Sequence, residues 1–166
     1  MNEDKITKQI QILINQFNVK NFNHVISKAR TLVKKNPGYV IIYNLLGSSY
    51  QNIGDFENAK ETFIQGLKLD HKNIAIKNNL AMAYTNLLQY QLAEKLFLEI
   101  LKENPKYINA YVNYGNLKRD INLFEDAIDL YKNALKLDDK NPVVLYSLAL
   151  AYQGIGKFDE AVNYAN

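Results

Sequence analysis

An aromatic residue returns every 34 positions along this chain, as Phe22, Phe56, Tyr90, Phe124 and Phe158. Three positions after each stands a small apolar residue: Val25, Ala59, Ala93, Ala127 and Ala161. A register held without insertion from residue 22 to residue 161 describes a stack of equal units, because one closed globule has no reason to keep a fixed period. Such stacks are generic recognition surfaces, so the period constrains architecture far more than it constrains the partner.

Other columns repeat with the same beat. Ten positions before each aromatic lie Ile12, Leu46, Leu80, Tyr114 and Leu148, followed at once by Leu13, Gly47, Ala81, Gly115 and Ala149. Tyr50, Tyr84 and Tyr152 form a further column that Gln16 and Lys118 break. Seven positions after the aromatic come Phe63, Phe97 and Tyr131, and four beyond them Leu67, Leu101 and Leu135. Offsets of three, four and seven place side chains on one face of a helix, whereas a strand alternates by two. Each unit is therefore two amphipathic helices. Where Gly47, Ala81, Gly115 or Ala149 faces Ala59, Ala93, Ala127 or Ala161, the two helices are expected to approach at the short end of the usual axis separation of about 8–10 Å.

Punctuation gives the boundaries. Asn36-Pro37, Asn104-Pro105 and Asn141-Pro142 each set an N-cap side chain before a proline suited to a first helical turn. The short turns inside the units are read at Gly54-Asp55, Gln89-Tyr90, Asn122-Leu123 and Gly156-Lys157, where glycine supplies a left-handed helix end. The spacing predicts helices near 4–18, 21–35, 38–52, 56–69, 72–86, 90–103, 106–121, 124–137, 142–154 and 158–166.

The stretch Tyr43, Leu46, Gly47, Tyr50, Phe56, Ala59, Phe63 resembles the tetratricopeptide signature. The resemblance covers repeats 40–73, 74–107 and 108–141, an incomplete repeat 142–166 and a degenerate repeat 6–39, so that 1–166 reads as a single array. It implies an all-α fold, a right-handed superhelical α-solenoid of helix-turn-helix repeats. Departures are local: His71 and Asp139 stand where the family usually has proline, and Lys77 replaces the first aromatic.

Composition fits a protein that stays in water. The chain is 48% hydrophobic and 22% charged, and no run reaches the about 18 apolar residues a membrane helix needs. Residues 1–10 lack the apolar stretch and cleavage site of a secretory signal, and there are no cysteines, so a reducing, cytoplasmic location is expected. The net charge of +3 reads as spread, with Lys34-Lys35 and Lys118-Arg119 as the adjacent basic pairs and Asp138-Asp139 and Asp159-Glu160 offsetting them. Neither nucleic acid nor membrane is expected as a partner.

No catalytic constellation emerges, and neither a metal nor a cofactor is expected. His24 and His71 lie on different units without ligand spacing or a nucleophile nearby. Gly154-Ile155-Gly156 follows a helix rather than a strand and reads as a turn. Glu125, Asp126 and Asp129 fall in the first turns of a helix, where they favour its positive dipole end.

What remains is a binding surface. In helix-pair solenoids the first helix of each unit lines the concave wall. Its positions not spent on the core are rich in amides: Asn44, Asn52, Asn78, Asn79, Asn86, Asn113 and Asn116, with Ser48, Gln51, Thr85, Arg119 and Gln153 alongside. An amide offers donors and an acceptor, so a row of them can pair with the backbone of an extended peptide whatever its side chains. The row, and the string Ile108-Asn109-Ala110-Tyr111-Val112-Asn113-Tyr114-Gly115-Asn116, resemble the asparagine ladder of O-linked N-acetylglucosamine transferases, with Asn79 and Asn113 matching the ladder and Leu45 and Ser147 interrupting it. A carboxylate clamp like that of chaperone-binding members would need an arrangement that Lys77, Lys118 and Arg119 do not offer.

The function expected from the sequence is a non-catalytic scaffold that holds a protein or peptide ligand in an asparagine-rich concave groove. Two alternatives stand beside it. The resemblance to the N-terminal regions of glycosyltransferases and sulfotransferases implies a substrate-recruiting segment of a larger enzyme. A final helix that stops part-way through its unit leaves an apolar end face for self-association.

Overall fold

The computed structural model describes residues 2–165, with side chains from Asp4 to Tyr164. Met1 and Asn166, which the expected array 1–166 includes, lie outside the described residues. These carry ten α-helices and no strand, so the fold is all-α. The chain divides into two compact units between Gln89 and Tyr90. That division falls inside the expected 74–107 repeat.

The first unit holds α1 (Asn2–Asn18), α2 (Phe22–Lys35), α3 (Val40–Asn52), α4 (Phe56–Leu69) and α5 (Ile74–Asn86). Each helix packs on the next, and α3 also touches α1 and α5, while α2 and α4 are not in contact among the described residues. Helices α1, α3 and α5 therefore form the inner wall of this unit. Leu13, Val25, Ile42, Phe63 and Ile76 are fully buried in its core. A Cβ on Gly47 would lie 2.4 Å from Phe63 Cε1, so glycine is what lets that ring lie against the α3 backbone. Phe63 lies one turn beyond Ala59 on α4, the residue expected to face Gly47.

The second unit holds α6 (Tyr90–Glu103), α7 (Ile108–Asp120), α8 (Phe124–Leu135), α9 (Pro142–Gly154) and α10 (Phe158–Ala165). Again each helix packs on its successor, and α7 also touches α9. Ala127, Tyr131, Ala134, Val144, Leu148 and Ala151 make a continuous buried cluster between the hairpins. Gly115 admits the Tyr131 ring as Gly47 admits Phe63, with a would-be Cβ 2.4 Å from Tyr131 Cε1. Gly154 does the same for Phe124, at 2.4 Å from its Cε1. Gly154-Ile155-Gly156 is accordingly the turn joining α9 to α10.

The turns repeat with the sequence. Lys20, Gly54, Leu88, Asn122 and Gly156, spaced by the same 34 residues, all have positive φ, between 59° and 82°. In each, the following N–H donates to a carbonyl five residues back, as from Asp55 to Tyr50 at 2.9 Å and from Leu123 to Lys118 at 2.8 Å, closing the end of the first helix. In repeat 74–107 the left-handed residue is Leu88, one position before the expected Gln89-Tyr90 turn.

Helix starts follow the register rather than the Asn-Pro pairs alone. Asn141 N-caps α9, its side chain accepting from Val143 and Val144, and Pro142 takes the first helical position; Asn73, 68 residues earlier, caps α5 through Ile76. Asn36 and Asn104 sit elsewhere. Their N–H groups each donate to a carbonyl four residues back, Leu32 and Ile100, at 2.7 Å, and so close α2 and α6. Pro37 and Pro105 consequently lie in loops, and α3 and α7 begin at Val40 and Ile108 rather than near 38 and 106.

Candidate functional site

Within the first unit, successive first helices are joined by their amides. Asn79 on α5 donates through Nδ2 to Asn44 Oδ1 on α3 at 2.9 Å and to Ser48 Oγ at 3.3 Å. Asn44 and Ser48 are one helical turn apart, so a single α5 amide spans both, and all three residues are half-buried on the inner wall. Asn52, one turn further along α3, is exposed and donates to the Ser48 carbonyl at 2.8 Å. Asn86 is exposed and donates to the Met82 carbonyl at 2.9 Å. Gln51 Nε2 is buried without a hydrogen-bond partner.

Asn78 departs from the expectation. It is 4% exposed, with Nδ2 3.9 Å from Met82 Sδ, and its side chain is spent inside the protein rather than offered to a groove. It holds the register of Asn44, which is half-buried, so one repeat position serves as surface in α3 and as interior in α5.

The second unit uses its expected groove residues internally. Asn116 Oδ1 accepts from the Tyr131 hydroxyl at 2.8 Å. Tyr131 occupies the place of Phe63 and Phe97, and its extra hydroxyl needs a partner in the core. Burial pushes the Tyr131 phenol up to about 12. Arg119 Nη2 lies 3.3 Å from Asp120 Oδ1, and Asn113 is half-buried. Asn44, Ser48 and Asn79 are therefore the expected residues that the structure brings into one cluster.

A second polar group escaped the sequence reading. Lys118 Nζ lies 2.7 Å from Glu94 Oε1 and 3.8 Å from Asp126 Oδ2, and sits 5.2 Å from the centre of the Tyr114 ring. The Tyr114 hydroxyl donates to the same Glu94 oxygen, while its ring stacks on Phe97 at 5.6 Å. The hydrogen bond from Lys118, helped by that from Tyr114, holds the Glu94 carboxyl below its ordinary value; burial and Glu94 together drive the Tyr114 phenol well above its own. In the 108–141 repeat the usual leucine and tyrosine columns read Tyr114 and Lys118, so a hydroxyl has moved back one turn and an ammonium fills its place. The signal was visible as two broken columns, but their partner on another helix was not.

The described residues contain no group of three or more His, Asp or Glu placed to hold a metal. No helix among them is long and apolar enough to cross a membrane. What the inner wall of the first unit does present is the single bridge from Asn79 to Asn44 and Ser48.

Helical hairpins returning every 34 residues, with a left-handed residue closing each first helix, define a helical-repeat protein. Residues 40–73 match the family model described as tetratricopeptide repeat and residues 115–156 the one described as TPR repeat, so both segments are tetratricopeptide repeats. Among curated proteins nothing matches. Of solved structures, a crystal structure of MamA protein is similar at a TM-score of 0.75 and 25% identity, covering 99% of this chain and 89% of that one. A thermophilic TPR protein of Thermus thermophilus gives a TM-score of 0.85 at 18% identity, covering 95% and 87% of the two chains. PilF of Pseudomonas aeruginosa gives 0.81 at 18% identity, covering 99% of this chain and 75% of its own.

Proposed function

We propose that this chain is a non-catalytic scaffold that holds a partner protein by laying an extended peptide of it along the inner wall of the first unit. The observation that carries this reading is the Asn79 bridge to Asn44 and Ser48. By giving its Nδ2 hydrogens to α3, Asn79 keeps its Oδ1 as an acceptor for a peptide N–H, and Asn44 keeps its Nδ2 as a donor for a peptide carbonyl. One peptide unit is met by one such pair, independently of its side chain.

The test is the double variant Asn44→Ala/Asn79→Ala against peptides selected on the wild type from a random library. Removing both members of a bonded pair leaves little unsatisfied, so stability should change by about 1 kcal/mol or less. Affinity should fall about tenfold or more, the loss expected of two backbone contacts. Equal affinity for the two proteins would refute the assignment.

Self-association is a second reading, favoured by one feature of the second unit. Val112 and Ile128, 7% and 5% exposed, are buried in the cluster with Val144 and Leu148 of α9. The residues 34 positions on, Tyr146 and Val162, are 64% and 57% exposed, with Phe158 at 63% beside them in an apolar depression of about 300 Å³.

A further inference from the structure

The even spread of charge expected from the adjacent pairs does not hold at longer range. Between Asp4 and Asp55 there is no acidic residue, while seven lysines and arginines fall in the interval. The excess lies chiefly on α2, which has basic residues in its last turn and no acid in its first. Asn23, Ile26, Ser27, Arg30, Thr31 and Lys34 line an open depression of about 400 Å³ along this helix. Arg30 and Lys34, one turn apart and exposed, have no carboxylate within ion-pair distance among the described residues. The half-buried Ile26 gives the depression an apolar patch one turn before Arg30.

The other second helices supply an internal comparison. At the positions of Asn23 and Ser27, α4 carries Glu57 and Glu61, α8 carries Glu125 and Asp129, and α10 carries Asp159 and Asn163; α6 carries Gln91 and Lys95 there but has Glu94, Glu99 and Glu103 elsewhere along the helix. In α4 the acid is used at home, Glu57 pairing with Lys60. Alone among the five second helices, α2 has no acidic residue of its own, so Arg30 and Lys34 are left to meet a complementary charge from outside the helix.

We infer that the Asn23–Lys34 stripe of α2 docks an acidic peptide segment of a partner, with two carboxylates on Arg30 and Lys34 and an apolar side chain on Ile26. A phosphate backbone fits less well. Lys28 points into a different cleft, with Gln9, Ile12, Leu13, His24 and Leu32, so the positive groups do not form the continuous track that successive phosphates require. Carboxylates on an amphipathic peptide need only the two cations and the apolar patch one turn before them. This surface is distinct from the amide wall of α3 and α5.

Fluorescence anisotropy with a labelled peptide of alternating glutamate and leucine tests the assignment, with its lysine–leucine counterpart, a DNA duplex and phosphatidylserine vesicles as further probes. The glutamate peptide should bind, and binding should weaken as salt rises from about 50 to about 500 mM. Arg30→Glu/Lys34→Glu should weaken it about tenfold or more, while Lys136→Glu, at the register of Lys34 just past the end of α8, should leave it unchanged. Circular dichroism establishes that each variant keeps its helices; should the double variant unfold, Arg30→Gln with Lys34→Gln takes its place. No binding of the glutamate peptide, equal binding by the double variant, or tighter Arg30-dependent binding of DNA or vesicles would overturn the proposal.

Discussion

Leu88 is where the repeat and the residue disagree. Its φ of 59° belongs to the left-handed region, which costs a side-chain-bearing residue about 1 kcal/mol or more, and the same place is glycine at Gly54 and Gly156. Its side chain is 69% exposed, so little packing offsets the cost. Leu88→Gly is expected to raise stability by about 0.5–1 kcal/mol, the relief of strain less the greater freedom of glycine in the unfolded chain. A thermal melt that fails to shift upward would show that Leu88 is held without strain. At this scale the sequence was only partly legible. The glycines announced their turns, but a leucine carries no left-handed signal, and only counting 34 from Gly54 finds it. Asn78 was hidden for a different reason: an asparagine on a first helix looks the same whether its neighbours expose it, as at Asn44, or bury it.

Between elements, the Glu94–Lys118–Tyr114 group ties α6 to α7 and, through Asp126, to α8. Because the Glu94 carboxyl is held below its ordinary value of 4.5, its contribution to stability is present above that pH and is lost as pH falls through the folded value. Wild type should therefore lose urea resistance more steeply below pH 4.5 than Glu94→Gln does. Parallel pH profiles for the two proteins would contradict the assigned role. Helix identities were readable throughout, since offsets of three, four and seven admit no other element. Two helix starts were not, because Asn-Pro can close one helix or open the next. Asn36 and Asn104 do the former and Asn141 the latter, and only Asn141 shares the register of the Asn73 cap. The ionic group itself spans 24 residues between its acid and its lysine, beyond what any local pattern reports.

At the scale of the whole molecule the two compact units differ in character. Up to Gln89 the chain carries 11 basic and 6 acidic residues, and from Tyr90 onward 9 and 11. The first unit carries the Asn79 bridge to Asn44 and Ser48 and a basic α2; the second bonds Asn116 to Tyr131 and Lys118 to Glu94 and exposes Tyr146, Phe158 and Val162. If a second copy covers that apolar face, scattering mass should rise with concentration, and Tyr146→Glu/Val162→Glu should hold the protein at monomer mass. A constant monomer mass for the wild type would remove this reading. The resemblance to transferase recruiting arms rests on the asparagine strings alone, and of those strings Asn116 is bonded to Tyr131. The period of 34 made the repeats visible in the sequence before any coordinates. Which asparagines form the wall was not visible, because that depends on how α5 lies against α3.

The amide wall of α3 and α5 carries the functional account, and side-chain amide NMR tests it most directly. On titration with a peptide selected on the wild type, the Asn44 and Asn79 side-chain amide signals should move together and saturate with the binding curve. Bound peptide that leaves both unmoved while shifting resonances elsewhere would contradict it.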